Sequence, residues 1–352
     1  MDLNDHCVVN KTINGKQCTI TWHVDDLKIS HADEAVVESV ISQLESIYGT
    51  LDVTRGPMQT YLGMDFDYSE EGVVSVTMIN YMKEIVEEFP DDISGRANTP
   101  AANNLFEVRA DPTYLDQKTA VIFHHTVAKI LWASLRARPD LLVAMSFLTS
   151  RVQKPDEDDW KKLVRLITYI KCTIDLSLRL SADNTGVIKW WIDASFATRS
   201  DMESQTGATM SLGKGSIFSF SKKQKLNTKS STEAELVGVD DLTPQIMWTK
   251  YFLEAQGQPI HDNIVHQDNK SSIQLETNGI KSSSARTHHI RIRYYFVADL
   301  QKRKELRVVY EPTDTMWGDY FTKPLQGKKF LDMRKQIMNE KDSDEECTQI
   351  MK

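Results

Sequence analysis

Four acidic residues in the C-terminal half of the sequence carry its most informative chemistry. Asp193 stands in WIDASFATRS, Glu235 in SSTEAELVGVDDL, Asp268 in NIVHQDNK and Asp319 in MWGDYFTKPL. Carboxylates that converge raise each other's pKa unless a cation compensates them. Hard divalent ions with oxygen ligands suit such a set, and Mg²⁺ keeps positions free for water and phosphate. Two ions about 3.5 to 4 Å apart can hold both oxygens of a phosphodiester displacement.

Each acid also has a purely structural interpretation. An acid at the end of a strand is more often a turn former or a helix cap than a ligand. Ser230-x-x-Glu233 matches a capping box, which gives Glu233 such a role. Glu235 lies two residues further on and points to the other side of the helix. It shares its face with the apolar residues Val239, Leu242 and Ile246. Glu235 is therefore the acid that we expect to point inward.

The elements that must position these acids are predicted from residue 186 onward. Apolar runs and turn residues predict strands, and helical spacing predicts helices between them. The strands are expected at 186 to 193, 206 to 212, 216 to 220, 263 to 268 and 306 to 311. The helices are expected at 232 to 255, 270 to 278, 287 to 302 and 314 to 335. This order predicts a mixed five-stranded sheet flanked by helices. Parallel neighbours would bring Asp193 and Asp268 to one edge of the sheet.

The N-terminal half has a different pattern. Alternating residues 16 to 30 predict a β-hairpin with Asp25 and Asp26 at its tip, and a second hairpin follows between 61 and 78. A helix is predicted at 79 to 89. Small residues between 93 and 112 predict a linker, and amphipathic spacing from 117 to 175 predicts a helical connector.

Composition narrows the classes of function. The chain has 352 residues, 40% hydrophobic and 26% charged, which is typical of soluble globular domains. No run of about 18 apolar residues and no secretory signal is present, so neither a membrane span nor secretion is expected. Four cysteines without C-x-x-C spacing indicate an intracellular, reducing setting, either cytoplasmic or nuclear.

The charge distribution indicates a nucleic-acid partner for one half of the chain. The net charge is -8, yet residues 186 to 335 contain 22 Lys and Arg against 17 Asp and Glu. A basic surface attracts phosphate. The residues that we expect to contact nucleic acid are Lys222, Lys223, Lys225, His289, Arg291 and Arg293. A solvated basic face is the alternative interpretation of both clusters. The sequence does not indicate an oligomeric state.

Several blocks of the sequence, taken in order, resemble one family. WIDASFA, SKKQKLNTKSSTEAEL, HQDNKSS, HHIRIRYYF and GDYFTKPL resemble the ribonuclease H domain of copia-type LTR retrotransposon Pol polyproteins. WHVDDLKISH and YLGMDFDYSEEG resemble the palm of the reverse transcriptase of that family, and the helical block from RPDLL to DLSL resembles the segment between the two. The resemblance covers nearly the whole chain.

The resemblance implies an α+β or α/β multidomain protein. Residues 1–95 would form the C-terminal part of the palm and the start of the thumb, and residues 96–185 a helical thumb and connection. Residues 186–335 would form a ribonuclease H-like domain, and residues 336–352 an acidic tail.

The resemblance also implies a function and a set of site residues. Asp193, Glu235, Asp268 and Asp319 fall on the family's catalytic acids, which would bind two Mg²⁺ ions, with Mn²⁺ as a substitute. The implied reaction is hydrolysis of the RNA strand of an RNA–DNA hybrid. The choice of Glu235 over Glu233 agrees with the helical-face argument.

The sequence departs from the family pattern at several places. The loop EPTDTMW lacks the His that related ribonucleases H often carry before the last acid, and Arg291 replaces an acid. His23 replaces a Tyr before Asp25 and Asp26, and only 24 residues precede Asp25. These two acids are therefore interpreted as a polymerase remnant, and we expect no primer extension by this chain alone.

Two other outcomes stay open. A catalytically silent or co-opted remnant would bind nucleic acid without turnover and would do so in a salt-sensitive way. A palm that lacks part of its sheet would leave exposed edge strands, and the protein would then aggregate.

Overall fold

The computed structural model describes residues 5–279 and 291–341, without the side chains of Arg291, Ile292 and Tyr294. The strands are β1 (Val8–Ile13), β2 (Lys16–His23), β3 (Asp26–Ser30), β4 (Met58–Tyr61), β5 (Met64–Asp67), β6 (Val74–Thr77), β7 (Leu178–Ala182), β8 (Val187–Ser195), β9 (Gln205–Ser211), β10 (Gly213–Lys214), β11 (Phe218–Lys223), β12 (Asp262–Gln267) and β13 (Arg307–Tyr310). The helices are α1 (Glu34–Tyr48), α2 (Ile79–Glu88), α3 (Gln117–Ser134), α4 (Leu142–Arg151), α5 (Glu157–Cys172), α6 (Ser231–Ala255), α7 (Lys270–Asn278), α8 (Arg291–Lys302), α9 (Asp319–Thr322) and α10 (Gly327–Met338).

The described strands form three sheets. An antiparallel sheet has the order β1-β2-β3, and a second antiparallel sheet has the order β10-β7-β6-β5-β4. The third sheet has the order β11-β9-β8-β12-β13 and is mixed. In it, β9 pairs antiparallel with β8 and β11, whereas β12 pairs in parallel with β8 and β13. The prediction of a mixed five-stranded sheet flanked by helices is confirmed.

The mixed sheet has its own hydrophobic core. Ile188, Trp190 and Ile192 of β8 are fully buried, and they pack with Val239 and Ile246 of α6. The alternation of these β8 residues places them on the face that α6 covers. Burial of these large side chains fixes the register of β8 and therefore the position of its last residues.

A second and larger core lies outside the mixed sheet. Its members come from β6, from α2 to α5 and from β7. Residues of α9 and α10 also belong to it, among them Phe321, Phe330 and Ile337. The last two described helices therefore pack against the helical block. In addition, β10 pairs with β7 in the second antiparallel sheet. The four predicted segments stay predictions, and the packing crosses the predicted boundary at 185.

One prediction about elements is confirmed only in part, and a second is wrong. Residues 93 to 112 form no helix or strand, as expected of a linker, but Ile93, Ala101, Leu105 and Phe106 are buried in the larger core. The predicted helix at 314 to 335 is broken into a 3-10 turn at Thr313–Thr315, α9 and α10. Pro324 causes the second break, because a residue that precedes proline is driven out of the helical region, and Lys323 is extended.

Within the described residues, no helix combines the length and the apolar character that crossing a bilayer requires.

Candidate metal centre

Asp193 and Asp268 meet because β8 and β12 are parallel and in register. His266 of β12 pairs with Trp191 of β8, so two residues further on Asp268 stands opposite Asp193. Side chains two residues apart lie on the same face of a strand. The sheet therefore delivers both carboxylates to one edge and one face, as predicted.

Glu235 reaches the same place from the first turns of α6. The helix begins after Ser230, whose hydroxyl accepts a hydrogen bond from the Glu233 backbone N–H at 3.2 Å. The Glu233 carboxylate accepts one from the Lys229 N–H at 2.8 Å. Glu233 thus serves the helix end, while the side chain of Glu235 is buried, with the residue only 4% exposed.

The three acids form a compact group. One carboxylate oxygen each of Asp193, Glu235 and Asp268 lies within 4.8 Å of the others. Burial, together with the neighbouring acids, raises the pKa of Asp193 to about 6 against the opposing charge of Lys323. Burial, Asp193 and Asp268 raise the pKa of Glu235. Ionising these buried and mutually repelling carboxylates costs free energy, and a bound cation reduces that cost.

Asp319 lies beside this group but outside it. It is the first residue of α9, is 1% exposed and accepts from the ammonium groups of Lys323 and of Lys329, the latter at 3.0 Å. Burial acts to raise the pKa of Asp319, but the two lysines outweigh it and lower that pKa. The Lys323 ammonium is also 3.8 Å from Asp193 Oδ2. Lys323 therefore links Asp319 to the three acids.

Two glycines allow α9 to lie directly on the sheet. A Cβ at Gly318 would lie 2.7 Å from the Cβ of Asp193, and a Cβ at Gly207 would lie 2.7 Å from the backbone of Phe321. This contact places the Thr322 hydroxyl 2.5 Å from Asp193 Oδ2, to which it donates. The close approach of α9 thus supplies a hydrogen-bond donor to the central acid.

The loop before α9 is fixed by an aromatic stack. Trp317 stacks on Trp191 with ring centroids 4.2 Å apart, and Trp191 stacks on His266 at 4.8 Å. At the start of the loop, Thr313 donates to Asp268 Oδ2 at 2.9 Å. The loop EPTDTMW, which lacks a His, therefore contacts Asp268 through the hydroxyl of Thr313.

The predicted nucleic-acid residues have different surroundings. Lys222 and Lys225 are exposed beside a groove between α4 and β11. Lys223 is ion-paired with Asp201 and Glu203, and Arg293 is ion-paired with Asp240 and Asp241. His289 and the side chain of Arg291 lie outside the described residues. Of the six, Lys222 and Lys225 are the ones seen with an exposed side chain and no ion pair in the described part of the chain.

The predicted polymerase remnant belongs to a different sheet from these acids. Asp25 lies in the turn between β2 and β3, and Asp26 begins β3, and both are exposed. The described residues place them in the three-stranded sheet.

Sequence reasoning missed the residues that surround the acids. Lys323, Lys329, Thr322 and Thr313 were not singled out, although all of them contact Asp193, Asp268 or Asp319. One signal was present, since Lys323 follows Asp319 by four residues, the spacing of a helical ion pair.

The fold and the acids define a mixed α/β protein with a candidate centre for a divalent cation. No protein-family model matches the chain. Among curated proteins, it is 32% identical over 317 residues to the retrovirus-related Pol polyprotein from transposon RE2 of Arabidopsis thaliana, a match covering 90% of this chain and 21% of that protein. It is 25% identical over 334 residues to the retrovirus-related Pol polyprotein from transposon TNT 1-94 of Nicotiana tabacum, covering 93% of this chain and 25% of that protein.

A shorter relative is matched over a larger share of its length. The chain is 22% identical over 231 residues to a putative transposon Ty5-1 protein of Saccharomyces cerevisiae, covering 64% of this chain and 73% of that protein. The chain belongs to the Pol polyproteins of copia-type retrotransposons. It spans about a fifth to a quarter of the length of the two plant relatives.

Proposed function

We propose that this Pol-derived chain hydrolyses the RNA strand of RNA–DNA hybrids with the help of divalent cations, and that residues 186–335 form its ribonuclease H-like domain. The observation that carries the proposal is the convergence of Asp193, Glu235 and Asp268. One carboxylate oxygen of each lies within 4.8 Å of the others, although the residues come from β8, from α6 and from the loop after β12.

The residues present fit a divalent cation. Asp193 and Glu235 are buried, and Glu235 Oε2 has no hydrogen-bond partner. A buried carboxylate oxygen without a donor is costly in free energy, and an oxygen-liganded cation removes that cost. Asp193, Glu235 and Asp268 would hold one ion, and Asp193 with Asp319 would hold a second. When bound, Mg²⁺ or Mn²⁺ supplies the Lewis acidity and the charge compensation that phosphodiester hydrolysis needs.

The surrounding residues orient the acids and attract the substrate. The Thr322 hydroxyl fixes the carboxylate of Asp193 by a hydrogen bond. Lys222 and Lys225 offer positive charge to a phosphate backbone. An RNA–DNA hybrid presents 2′-hydroxyls on one strand in a shallow minor groove, and a protein uses this feature to tell it from duplex DNA.

The test compares two glutamates of the same helix. We expect wild type to cleave the labelled RNA strand of a hybrid in the presence of Mg²⁺, and Glu235→Gln to lose cleavage by about a hundredfold or more. Glu233→Gln is the matched control, because it makes the same change at the helix end and should keep cleavage. Asp193→Asn should behave like Glu235→Gln. Cleavage that survives in Glu235→Gln, or that is absent from wild type, contradicts the proposal.

The exposed Lys222 and Lys225 favour one second candidate, a protein that binds nucleic acid without cleaving it. This alternative predicts hybrid binding that weakens steeply with salt, and no RNA product at any Mg²⁺ concentration. Replacing both lysines by Gln should then weaken binding and reduce its salt dependence. The cleavage assay above separates the two candidates.

A further inference from the structure

The acids of the candidate metal centre form two groups that share Asp193. In the first group, Asp193 stands with Glu235 and Asp268. In the second, Asp193 stands with Asp319, and the ammonium of Lys323 contacts both, at 3.8 Å from Asp193 Oδ2 and in direct hydrogen bond to Asp319 Oδ1.

The positive charges lie nearest the acids of the second group, Asp319 and the shared Asp193. Lys323 and Lys329 approach the two oxygens of Asp319. Within the part of the chain that the structure describes, no Lys or Arg lies at ion-pair distance from Glu235 or Asp268. Among the described residues, Glu235 and Asp268 thus lack a side-chain cation at ion-pair distance, whereas Lys323 already stands between Asp193 and Asp319.

We infer that Lys323 is a built-in counterion that stands in the place of the second divalent cation and competes with it. This inference rests on the metal centre of the proposed function and not on the cleavage reaction itself. It makes the two binding steps unequal: the Asp193–Glu235–Asp268 group takes an ion directly, whereas an ion between Asp193 and Asp319 must displace the ammonium. Lys323 is a positioning residue that sets the affinity of this second step.

The local structure allows the ammonium to leave. The Lys323 side chain is 43% exposed, so its four-carbon stem has a route to solvent. The backbone of Lys323 is extended, and Pro324, the next residue, keeps it extended. Displacement therefore requires a change of side-chain rotamers only, and α9 can stay on the sheet with Asp319 in place.

The experiment is a Mn²⁺ titration of the full chain without nucleic acid, followed by isothermal calorimetry and by the electron paramagnetic resonance signal of free Mn²⁺. Wild type should bind one ion tightly and a second more weakly. Lys323→Gln should lower the Kd of the second step by about tenfold or more, because a unit charge about 4 Å away no longer opposes the ion. Lys323→Arg keeps the charge and should keep the two unequal steps.

Lys328→Gln is the matched control, since it removes the same charge from α10, where Lys328 is exposed and has no ion pair with the acids among the described residues. Equal second-step Kd values for wild type and Lys323→Gln, or an equal change in Lys328→Gln, would overturn the inference. If Mn²⁺ binds in two unequal steps but no RNA is cleaved, the proposed function is wrong and the inference about Lys323 is still supported. Absence of bound Mn²⁺ from every variant would refute the metal centre and this inference together.

Discussion

The Thr322 hydroxyl is the donor that holds the central acid. It is buried and donates to Asp193 Oδ2 at 2.5 Å. Thr322→Val keeps the volume of the side chain and removes the donor. We expect the free energy of unfolding to fall by about 1 to 2 kcal/mol and Mn²⁺ affinity to weaken, because Asp193 loses its orientation. Chemical denaturation and Mn²⁺ titration measure the two effects.

A second threonine provides the control for this change. Thr209 in β9 is buried and hydrogen-bonded to Ser216 at 2.6 Å, on a strand neighbouring β8. Thr209→Val should cost a similar free energy and leave Mn²⁺ affinity unchanged. If Mn²⁺ affinity falls equally in both variants, the role assigned to Thr322 is wrong.

Glu276 on α7 gives a pH dependence that is independent of the metal centre. It is fully buried, has one hydrogen bond to Ser272 at 3.3 Å, and burial raises its pKa to about 8. The folded protein keeps this proton up to about pH 8, whereas the unfolded chain releases it near pH 4.5. Because the folded state binds more protons between these values, stability falls as pH rises through the window and levels off above it.

Glu276→Gln removes this dependence, because the amide stays neutral at every pH. Between pH 5 and pH 8, wild type should lose on the order of 4 kcal/mol more of its free energy of unfolding than the variant loses. Urea unfolding at the two pH values measures the difference. Parallel pH profiles for the two proteins would contradict the assignment.

At the scale of single residues, the sequence predicts the side-chain directions that follow from the periodicity of a strand or a helix. The positions of Asp193 and Asp268 follow from apolar runs that end in an acid, and the inward direction of Glu235 follows from the 3.6-residue period of α6. The ion pairs of Asp319 could not be derived in the same way, because Lys329 reaches it across a break between two helices whose relative placement depends on tertiary packing.

At the scale of elements, the metal centre depends on how closely α9 lies on β9. Gly207→Ala would place a Cβ 2.7 Å from the backbone of Phe321. We expect the free energy of unfolding to fall by about 1 to 3 kcal/mol. RNA cleavage should fall as well, because α9 must move away from Asp193. Thermal unfolding and the hybrid assay measure both quantities.

Gly238 on α6 is the matched glycine on the other face of the same strands. A Cβ there would lie 3.4 Å from Thr206 Cγ2 and 3.7 Å from the Ala194 Cβ. Gly238→Ala should therefore keep cleavage, and it should change stability little or raise it by up to about 1 kcal/mol through helix propensity. If Gly207→Ala and Gly238→Ala reduce stability and RNA cleavage equally, the close contact of α9 with the sheet does not explain the loss.

The C-terminal helix prediction failed at this scale for a definable reason. The apolar spacing of residues 314 to 335 is helical, but spacing alone does not mark where the axis changes direction. Pro324 did mark it, since a residue before proline avoids the helical region. The break separates α9, which packs on the mixed sheet and also enters the larger core, from α10, which lies in the larger core.

At the scale of the whole molecule, the larger core depends on elements far apart in the sequence, from β6 to α10. Phe330, Met333 and Ile337 of α10 are buried against the helical block, and Ser216 donates its N–H to the carbonyl of Ile337 at 2.8 Å. A fragment of residues 186–341 would expose these side chains. We expect it to melt at a lower temperature than a fragment of residues 74–341 and to self-associate.

Size-exclusion chromatography and thermal unfolding of the two fragments test this expectation. A monomeric 186–341 fragment with the melting temperature of the longer one would contradict it. The matched control is the 74–341 fragment with Met333→Ala, which leaves the helical block in place. Its free energy of unfolding should fall by about 2 to 5 kcal/mol, and it should stay monomeric.

The buried stretch at 93 to 112 shows what composition alone does not determine. Small residues, Pro and Asn predict irregular backbone correctly, and the same composition would suit a solvent-exposed linker. Ile93, Leu105 and Phe106 distinguish the two, because large apolar side chains in an irregular segment are stabilised by a core.

The stacked pair of Trp191 and Trp317 gives the protein an internal optical reporter. Two indoles whose centroids are 4.2 Å apart and whose planes differ by 19° couple their electronic transitions. Each lies two residues from an acid of the centre, Asp193 and Asp319. Near-ultraviolet circular dichroism can therefore follow events at this edge of the sheet in the unlabelled protein, with no substrate present.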